Sequence, residues 1–242
     1  MKYKSHGFTL VEMAIVLLIV GLLLGGLLMP LSTQMDQRKV GETQKVLEDV
    51  KEALIGFAIA NGRLPRPATS FTNGVENPAA CATEAACTGV IPWSTLGITK
   101  LDSWGKIIRY SVTPAFAGGA AGTTPFNLTA SIGTKTIQTR NNAGALVYLA
   151  GQAACSIATQ CMPAVVWSNG RNNWGYDDAG NTLADGSGTN IDEDANNASS
   201  INFITRNPTP NTAASGGEFD DVVTWIPLGT LFSRMVAAQK LP

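Results

Sequence analysis

From Met13 to Met35 no side chain in this sequence is charged. At about 1.5 Å of rise per helical residue, such a run is long enough to cross a hydrocarbon core of roughly 30 Å. A helix so apolar belongs in lipid or under the cover of other apolar helices. Glu12 stands at the edge of the run, directly before Met13. A carboxylate beside an apolar span is costly, so it marks a functional position and calls for a cationic partner. Lys2 and Lys4 precede it and place the N-terminus on the cytoplasmic side of a membrane.

Two ordinary readings of this segment are a secretory signal peptide and a plain single-pass signal anchor. A signal peptide has an apolar core of about 7 to 15 residues followed by a small-residue cleavage site. The core here is longer, and Gly25-Gly26-Leu27-Leu28-Met29-Pro30 offers no such site. A signal anchor accounts for length and orientation but leaves Glu12 without a use. Gly7-Phe8-Thr9-Leu10-Val11-Glu12 resembles the prepilin processing motif of the type IV pilin and type II secretion pseudopilin superfamily. The resemblance implies a cut between Gly7 and Phe8 by the prepilin peptidase, N-methylation of Phe8, and pairing of Glu12 with the N-terminal amine of a neighbouring subunit. Gly21 matches a common glycine of that family, and Pro30 falls about one place after its usual helix-kinking proline.

The 242 residues carry a formal charge of -1, and loss of Lys2 and Lys4 with a leader makes the remainder more acidic. That balance gives no general electrostatic reason to bind nucleic acid. The one histidine, His6, lies in the expected leader, so histidine-based triads and histidine-ligated zinc are excluded from the processed chain. The chain beyond the span is long enough for one domain of ordinary size with its own core. Four cysteines form two equally spaced pairs, Cys81 with Cys87 and Cys155 with Cys161. Export to an oxidising compartment favours disulfides, and the local pairings close the smallest loops. The other reading, a zinc site of four thiolates, meets a spacing wider than the usual two to about four intervening residues.

After Met35 the residues Val40, Thr43, Leu47, Val50, Leu54 and Phe57 recur at helical steps, with Lys45, Glu48, Asp49, Lys51 and Glu52 on the opposite side. The pattern predicts one helix from Phe8 to about Asn61, curved or kinked near Pro30 and stopped by Asn61-Gly62. Within Leu101 to Tyr110 a turn is expected to feed a strand, and further strands are expected at Phe126 to Ile132, Ala143 to Leu149, Ala164 to Trp167, Ile201 to Thr205 and Val222 to Ile226. A short amphipathic helix is expected after Pro227, carrying Leu228, Leu231, Phe232, Met235 and Val236. The stretch Ser168 to Glu218, dominated by Asn, Asp, Gly, Ser and Thr, is long for a loop and points to a functional surface, an ion-bound loop or partial disorder. These elements give an α+β class, and with the motif they imply a pilin fold: leader 1–7, transmembrane or filament-core helix 8–35, amphipathic half 36–61, and a β-rich domain 62–242 with long loops and a C-terminal helix.

No nucleophile motif or phosphate loop is present, and catalysis finds no support. Gly62-Arg63-Leu64-Pro65, Asp102-Ser103-Trp104-Gly105 and Tyr110 are similar to the corresponding stretch of major pseudopilins, with Asp102 read as a turn former and Trp104 as a core aromatic. Asp177, Asp178, Asp185, Asp192, Glu193 and Asp194 are hard oxygen ligands of the kind calcium prefers, but they miss the EF-hand spacing. Glu218-Phe219-Asp220-Asp221 resembles the acidic segment where calcium binds in major pseudopilins, and Ser168-Asn169-Gly170 resembles the loop that helps. The resemblance therefore names calcium as a candidate ligand of Glu218, Asp220 and Asp221, against a merely solvated acidic loop. Three functional classes are implied: a structural subunit of a pilus or secretion filament, a binding, adhesion or DNA-uptake subunit at a filament tip, and a signal-anchored exported protein. The first two share their partners, which are other pilin subunits, the peptidase and the inner membrane before assembly. The place implied is the bacterial inner membrane, then a periplasmic or cell-surface filament.

Overall fold

The computed structural model describes residues 7–119, 125–198 and 200–241, and for residues 24–33 it leaves the side chains aside. Most of the expected leader, with Lys2 and Lys4, and the side chain of Pro30, where a kink was expected, therefore lie outside the described residues. The chain divides into two units, Met1–Gly41 and Glu42–Pro242. Helix α1 runs Leu10–Asn61 and contributes to both. In the first unit its apolar side chains from Leu10 to Leu23 are exposed. Among the described residues no helix is long and apolar enough to cross a membrane. The expected span includes residues 24–33, outside that description.

In the second unit the apolar stripe of α1 is covered. Thr43, Leu47, Val50 and Leu54 are fully buried, joined by Ile55 and Ala58, while Val40 and Phe57 at the ends of the stripe are partly covered. The helix packs on an antiparallel sheet ordered β1 (Thr88–Val90), β2 (Arg109–Val112), β5 (Ala164–Ser168), β7 (Val222–Ile226). Strand β5 lies between two others and is buried along its whole length, so it reads as a continuous apolar run rather than an alternation. Val166 faces Tyr110 and Thr224 across the ladders, and the Thr224 hydroxyl donates to Glu48 of α1 at 3.0 Å. That face of the sheet therefore looks toward the helix. Val165 and Trp167, on the other face, join Ile137, Met162 and Phe203 in a second cluster.

Ile137 and Phe203 belong to a three-stranded sheet ordered β4 (Leu146–Ala150), β3 (Thr136–Arg140), β6 (Asn202–Ile204). Strands β3 and β4 are antiparallel, whereas β3 and β6 run parallel. The parallel pair follows from the long excursion between them, which returns the chain in the same direction. Short helices α2 (Trp93–Leu96), α3 (Ile191–Ala198) and α4 (Leu228–Ala237) complete the domain. Helix α4 begins after Pro227 and buries Leu228, Leu231 and Met235, while Val236 stays exposed.

Three expectations shift. Phe126 to Ile132 is a turn, because the Asn127 carboxamide accepts the backbone N–H groups of Thr129 and Ala130 and draws the chain out of an extended form. The strand lies further on, at β3. Trp104 is half-buried rather than a core aromatic, but Asp102 is a turn former: its Oδ1 accepts the N–H groups of Trp104 and Lys106 at 2.8 and 2.9 Å. The Ser168 to Glu218 stretch holds, besides the expected strand β6, the unexpected helix α3.

Disulfides join Cys81 to Cys87 and Cys155 to Cys161. Inside the first loop, Glu84 pairs with the fully buried ammonium of Lys135, beside β3, and accepts the Thr134 hydroxyl at 2.7 Å. The loop is thereby tied to the second sheet as well as to itself. On the loop-entropy argument each bridge contributes about 2 kcal/mol. Peptide mapping of exported protein without reductant is expected to yield the two local cross-links, and a Cys81 to Cys155 link would contradict the arrangement.

Candidate functional site

Two regions hold the residues singled out by sequence. The first is the start of α1. The backbone N–H and hydroxyl of Thr9 both donate to Glu12 Oε2, at 2.8 and 2.9 Å, and the Glu12 N–H donates back to Thr9 Oγ1 at 3.2 Å. This reciprocal arrangement is a capping box: it satisfies donors that the first helical turn leaves without partners. Glu12 thus has a local role in the uncut chain besides any pairing with a neighbour. Phe8 precedes the box and is 82% exposed. Gly7 has nothing within 4 Å of where a Cβ would stand.

The second region lies beside the ends of β5 and β7. Asp220 and Asp221 immediately precede β7, and Glu193 sits in the first turn of α3. The three carboxylates place an oxygen each within 4.8 Å of one another. Glu193 Oε1 accepts the Asp220 N–H at 2.6 Å, and its Oε2 accepts the amides of Asn173 and Asn190, both at 3.1 Å. Asp220 Oδ2 accepts the N–H and the side-chain amide of Asn172 at 3.0 and 2.7 Å. Asp221 Oδ2 accepts the Asn196 amide at 2.8 Å, and Asn196 is fixed in turn by the backbone of Ile204 in β6.

Two glycines allow this approach. At Gly170, φ is +55° and a Cβ would stand 2.0 Å from Asp220 Oδ1. At Gly217, φ is +78° and a Cβ would stand 1.6 Å from the Thr189 carbonyl oxygen, just before α3. Both positions need a residue that accepts left-handed backbone and has no side chain.

One cation is built in. The buried ammonium of Lys106 donates to the carbonyls of Asn169, Asn172 and Asn173, the first and last at 2.9 and 2.7 Å. Burial lowers its pKa, and the charges of Asp220, Asp102, Asp221 and Glu193 oppose that change. Burial followed by repulsion from Glu193 pushes Asp220 up to about 6 and Asp221 well above the ordinary carboxylate range. Three acids facing one ammonium is an electrostatically incomplete arrangement.

Sequence reasoning chose Glu218 with Asp220 and Asp221, and the structure separates them. Glu218 Oε2 accepts the Thr189 hydroxyl at 2.6 Å, and hydroxyl hydrogen bonds hold its pKa low. Its place beside the two aspartates goes to Glu193. The remaining acids of the long stretch have other work. Asp177 closes a turn on Asn181, Asp178 meets Lys100, Asp192 meets Arg140 and Arg206, and Asp194 accepts the Trp174 indole N–H. Asp185 accepts the Asn190 amide at 3.0 Å, one residue out from Glu193. The oxygen-only donor set and the orphaned, buried Asp220 Oδ1 suit a hard divalent cation such as calcium.

Residues 2–28 match the family model described as the prokaryotic N-terminal methylation motif, the prepilin motif of type IV pilins and pseudopilins. The chain therefore carries the processing signal of pilin-type exported proteins, and its α+β architecture is consistent with a pilin fold. No curated protein and no solved structure matches the chain.

Proposed function

We propose that this chain is made as a prepilin, cut between Gly7 and Phe8, N-methylated at Phe8, and assembled through α1 as a structural, non-enzymatic subunit of a type IV pilus or type II secretion filament, as a minor pilin or pseudopilin. The observation that carries this reading is the match of residues 2–28 to the methylation motif. Residues 8–35 anchor the precursor as a single pass in the inner membrane, with the N-terminus cytoplasmic. The exposed apolar side chains from Leu10 to Leu23 support that reading, since they need lipid first and neighbouring helices afterwards. The peptidase and other pilin-type subunits are the partners.

Mass spectrometry of protein taken from membranes and from sheared filaments tests this. The expected N-terminus is a methylated Phe8. Retention of Met1 in assembled material, or a cut beyond Met35, overturns the proposal. Replacing Gly7 with a bulky residue is expected to leave the precursor uncut, because the peptidase must fit the chain closely at that bond.

A further inference from the structure

We infer that the outer edge of β4 pairs with the same strand of a second copy of this chain, the two strands running antiparallel about a two-fold axis at Val147. The inference goes beyond the filament reading and needs only that two copies share a membrane.

Strand β4 has the composition of an interior strand in the position of an outer one. Its sequence, Leu-Val-Tyr-Leu-Ala, is apolar on both faces like that of β5, which is buried along its whole length. Strands of that kind lie inside sheets covered on both sides. Yet β4 is the last strand of its sheet, and Leu146, Val147, Tyr148 and Leu149 are 43, 38, 43 and 54% exposed. Outer strands are normally guarded by lysine, other charges or proline. Strand β4 carries none of these, and from Asn141 to Gly170 no side chain is charged. The one irregularity is a bulge that leaves Leu149 without a partner on β3. Before it, Leu146, Val147 and Tyr148 pair in regular register with Arg140, Thr139 and Gln138.

The backbone of that regular stretch offers a defined set of groups. At the turn between β3 and β4 the Asn141 N–H donates to the Ala145 carbonyl at 3.0 Å. From there the antiparallel ladder alternates, so Val147 bonds to β3 while Leu146 and Tyr148 turn their N–H and C=O groups outward. The other side of β3 agrees: the Gln138 carbonyl accepts the Thr205 N–H at 2.9 Å, so it faces β6 and not its partner Tyr148. Among the described residues no strand takes the outward groups of β4. A second β4 set antiparallel about Val147 takes all of them. Leu146 of each copy then stands opposite Tyr148 of the other and exchanges both hydrogen bonds with it, and the two Val147 side chains face one another.

Charge selects the occupant. A partner strand with a charged side chain would lose hydration against this neutral hairpin and meet no counter-charge. A second copy brings the same uncharged strand, opposes no like charges, and sets an aromatic side chain against an aliphatic one twice. A five-residue strand is a small contact beside the about 1,000 Å² or more of a stable complex, so the pair depends on both chains being held in one membrane, where their effective concentration is high. A helical filament repeats a head-to-tail contact, so the two-fold pair belongs to chains waiting in the membrane before assembly.

Disulfide trapping in membranes of cells that make the full-length chain beside the assembly machinery tests the pairing. Facing residues of an antiparallel pair that exchange no hydrogen bonds have Cα atoms about 4.5 Å apart, within disulfide reach. The four native cysteines are bonded to one another, so an added thiol is the only free one. With a mild oxidant, Val147→Cys is expected to give a covalent dimer on a non-reducing immunoblot at least about tenfold faster than Val236→Cys, a position of similar exposure on α4. Adding Leu146→Glu and Tyr148→Glu to Val147→Cys opposes like charges and is expected to lower the dimer at least about tenfold. Leu146→Glu with Tyr148→Lys opposes unlike charges and is expected to restore it, which separates lost pairing from lost folding. Equal cross-linking of Val147→Cys and Val236→Cys, or a dimer that survives Leu146→Glu with Tyr148→Glu, overturns the inference. So does a dimer that the Glu and Lys combination fails to restore, since the two copies then do not meet in this register. A cross-link to a different protein in place of the dimer overturns the second copy and gives the edge to that protein. None of these outcomes changes the N-terminal mass, so failure here and failure of the prepilin reading are told apart.

Discussion

Asp192→Ala is expected to lower the melting temperature of the full-length protein in detergent by about 6 to 12 °C, corresponding to roughly 3 kcal/mol. The Asp192 side chain is fully buried, at 0% exposure. Both its oxygens face Arg140, Oδ2 to Nε at 2.8 Å and Oδ1 to Nη2 at 2.7 Å, and Oδ2 also meets Nε of Arg206 at 2.8 Å. Its removal leaves two largely covered guanidiniums without their anion, the kind of loss that costs far more than the intact pair contributes. Arg140 ends β3, Arg206 follows β6, and Asp192 lies in the first turn of α3, so one side chain fastens the helix to two strands of the second sheet. Arg234→Ala is the comparison, since Arg234 and Glu52 form an exposed pair at 3.1 Å and less than about 1 kcal/mol is at stake. If Asp192→Ala melts within about 2 °C of wild type, the arginine fork does not hold α3.

Elements whose burial is apolar were readable from the sequence. The stripe of Thr43, Leu47, Val50 and Leu54 in α1 faces the core as its spacing implies. Strand β7 spans Val222–Ile226, and Pro227 marks the start of α4. Helix α3 escaped for a physical reason. Its buried residues are Asp192, Glu193 and Asn196, so no hydrophobic periodicity marks it. It is held by ion pairs and amide hydrogen bonds, to which pattern reading is blind. Strand β3, Thr-Ile-Gln-Thr-Arg, escaped in the same way, while the more apolar Phe126 to Ile132 was diverted by the Asn127 turn. The candidate site divides along the same line. Asp220 and Asp221 were marked by a local resemblance, whereas Glu193 lies 27 residues from Asp220 and only the tertiary fold selects it from the surrounding acids. Glu218 was marked by the same local resemblance, but its carboxylate accepts the Thr189 hydroxyl.

Glu12→Ala is expected to leave membrane insertion, cleavage at Gly7 and folding of the second unit intact, while incorporation into filaments falls more than about tenfold. Insertion survives because the substitution makes the segment more apolar. Assembly suffers because a subunit entering a bundle of apolar helices would bury the amine of Phe8 without an anion. The capping box supplies a control for helix stability. Thr9→Ala removes both hydrogen bonds of the Thr9 hydroxyl but keeps the carboxylate, whereas Glu12→Gln keeps an acceptor for the Thr9 N–H and removes the charge. If charge pairing governs assembly, Glu12→Gln assembles less well than wild type, at a level between it and Glu12→Ala, and Thr9→Ala assembles nearly as well as wild type. If helix capping governs, the order of the two reverses. Each variant is expressed beside the wild-type machinery, its N-terminal mass is verified, and sheared filaments are compared with the membrane fraction by immunoblot. Equal incorporation of Glu12→Ala and wild type would mean that no neighbouring amine depends on this acid, which removes the general-subunit reading and favours a subunit at the filament tip, with no neighbour ahead of it.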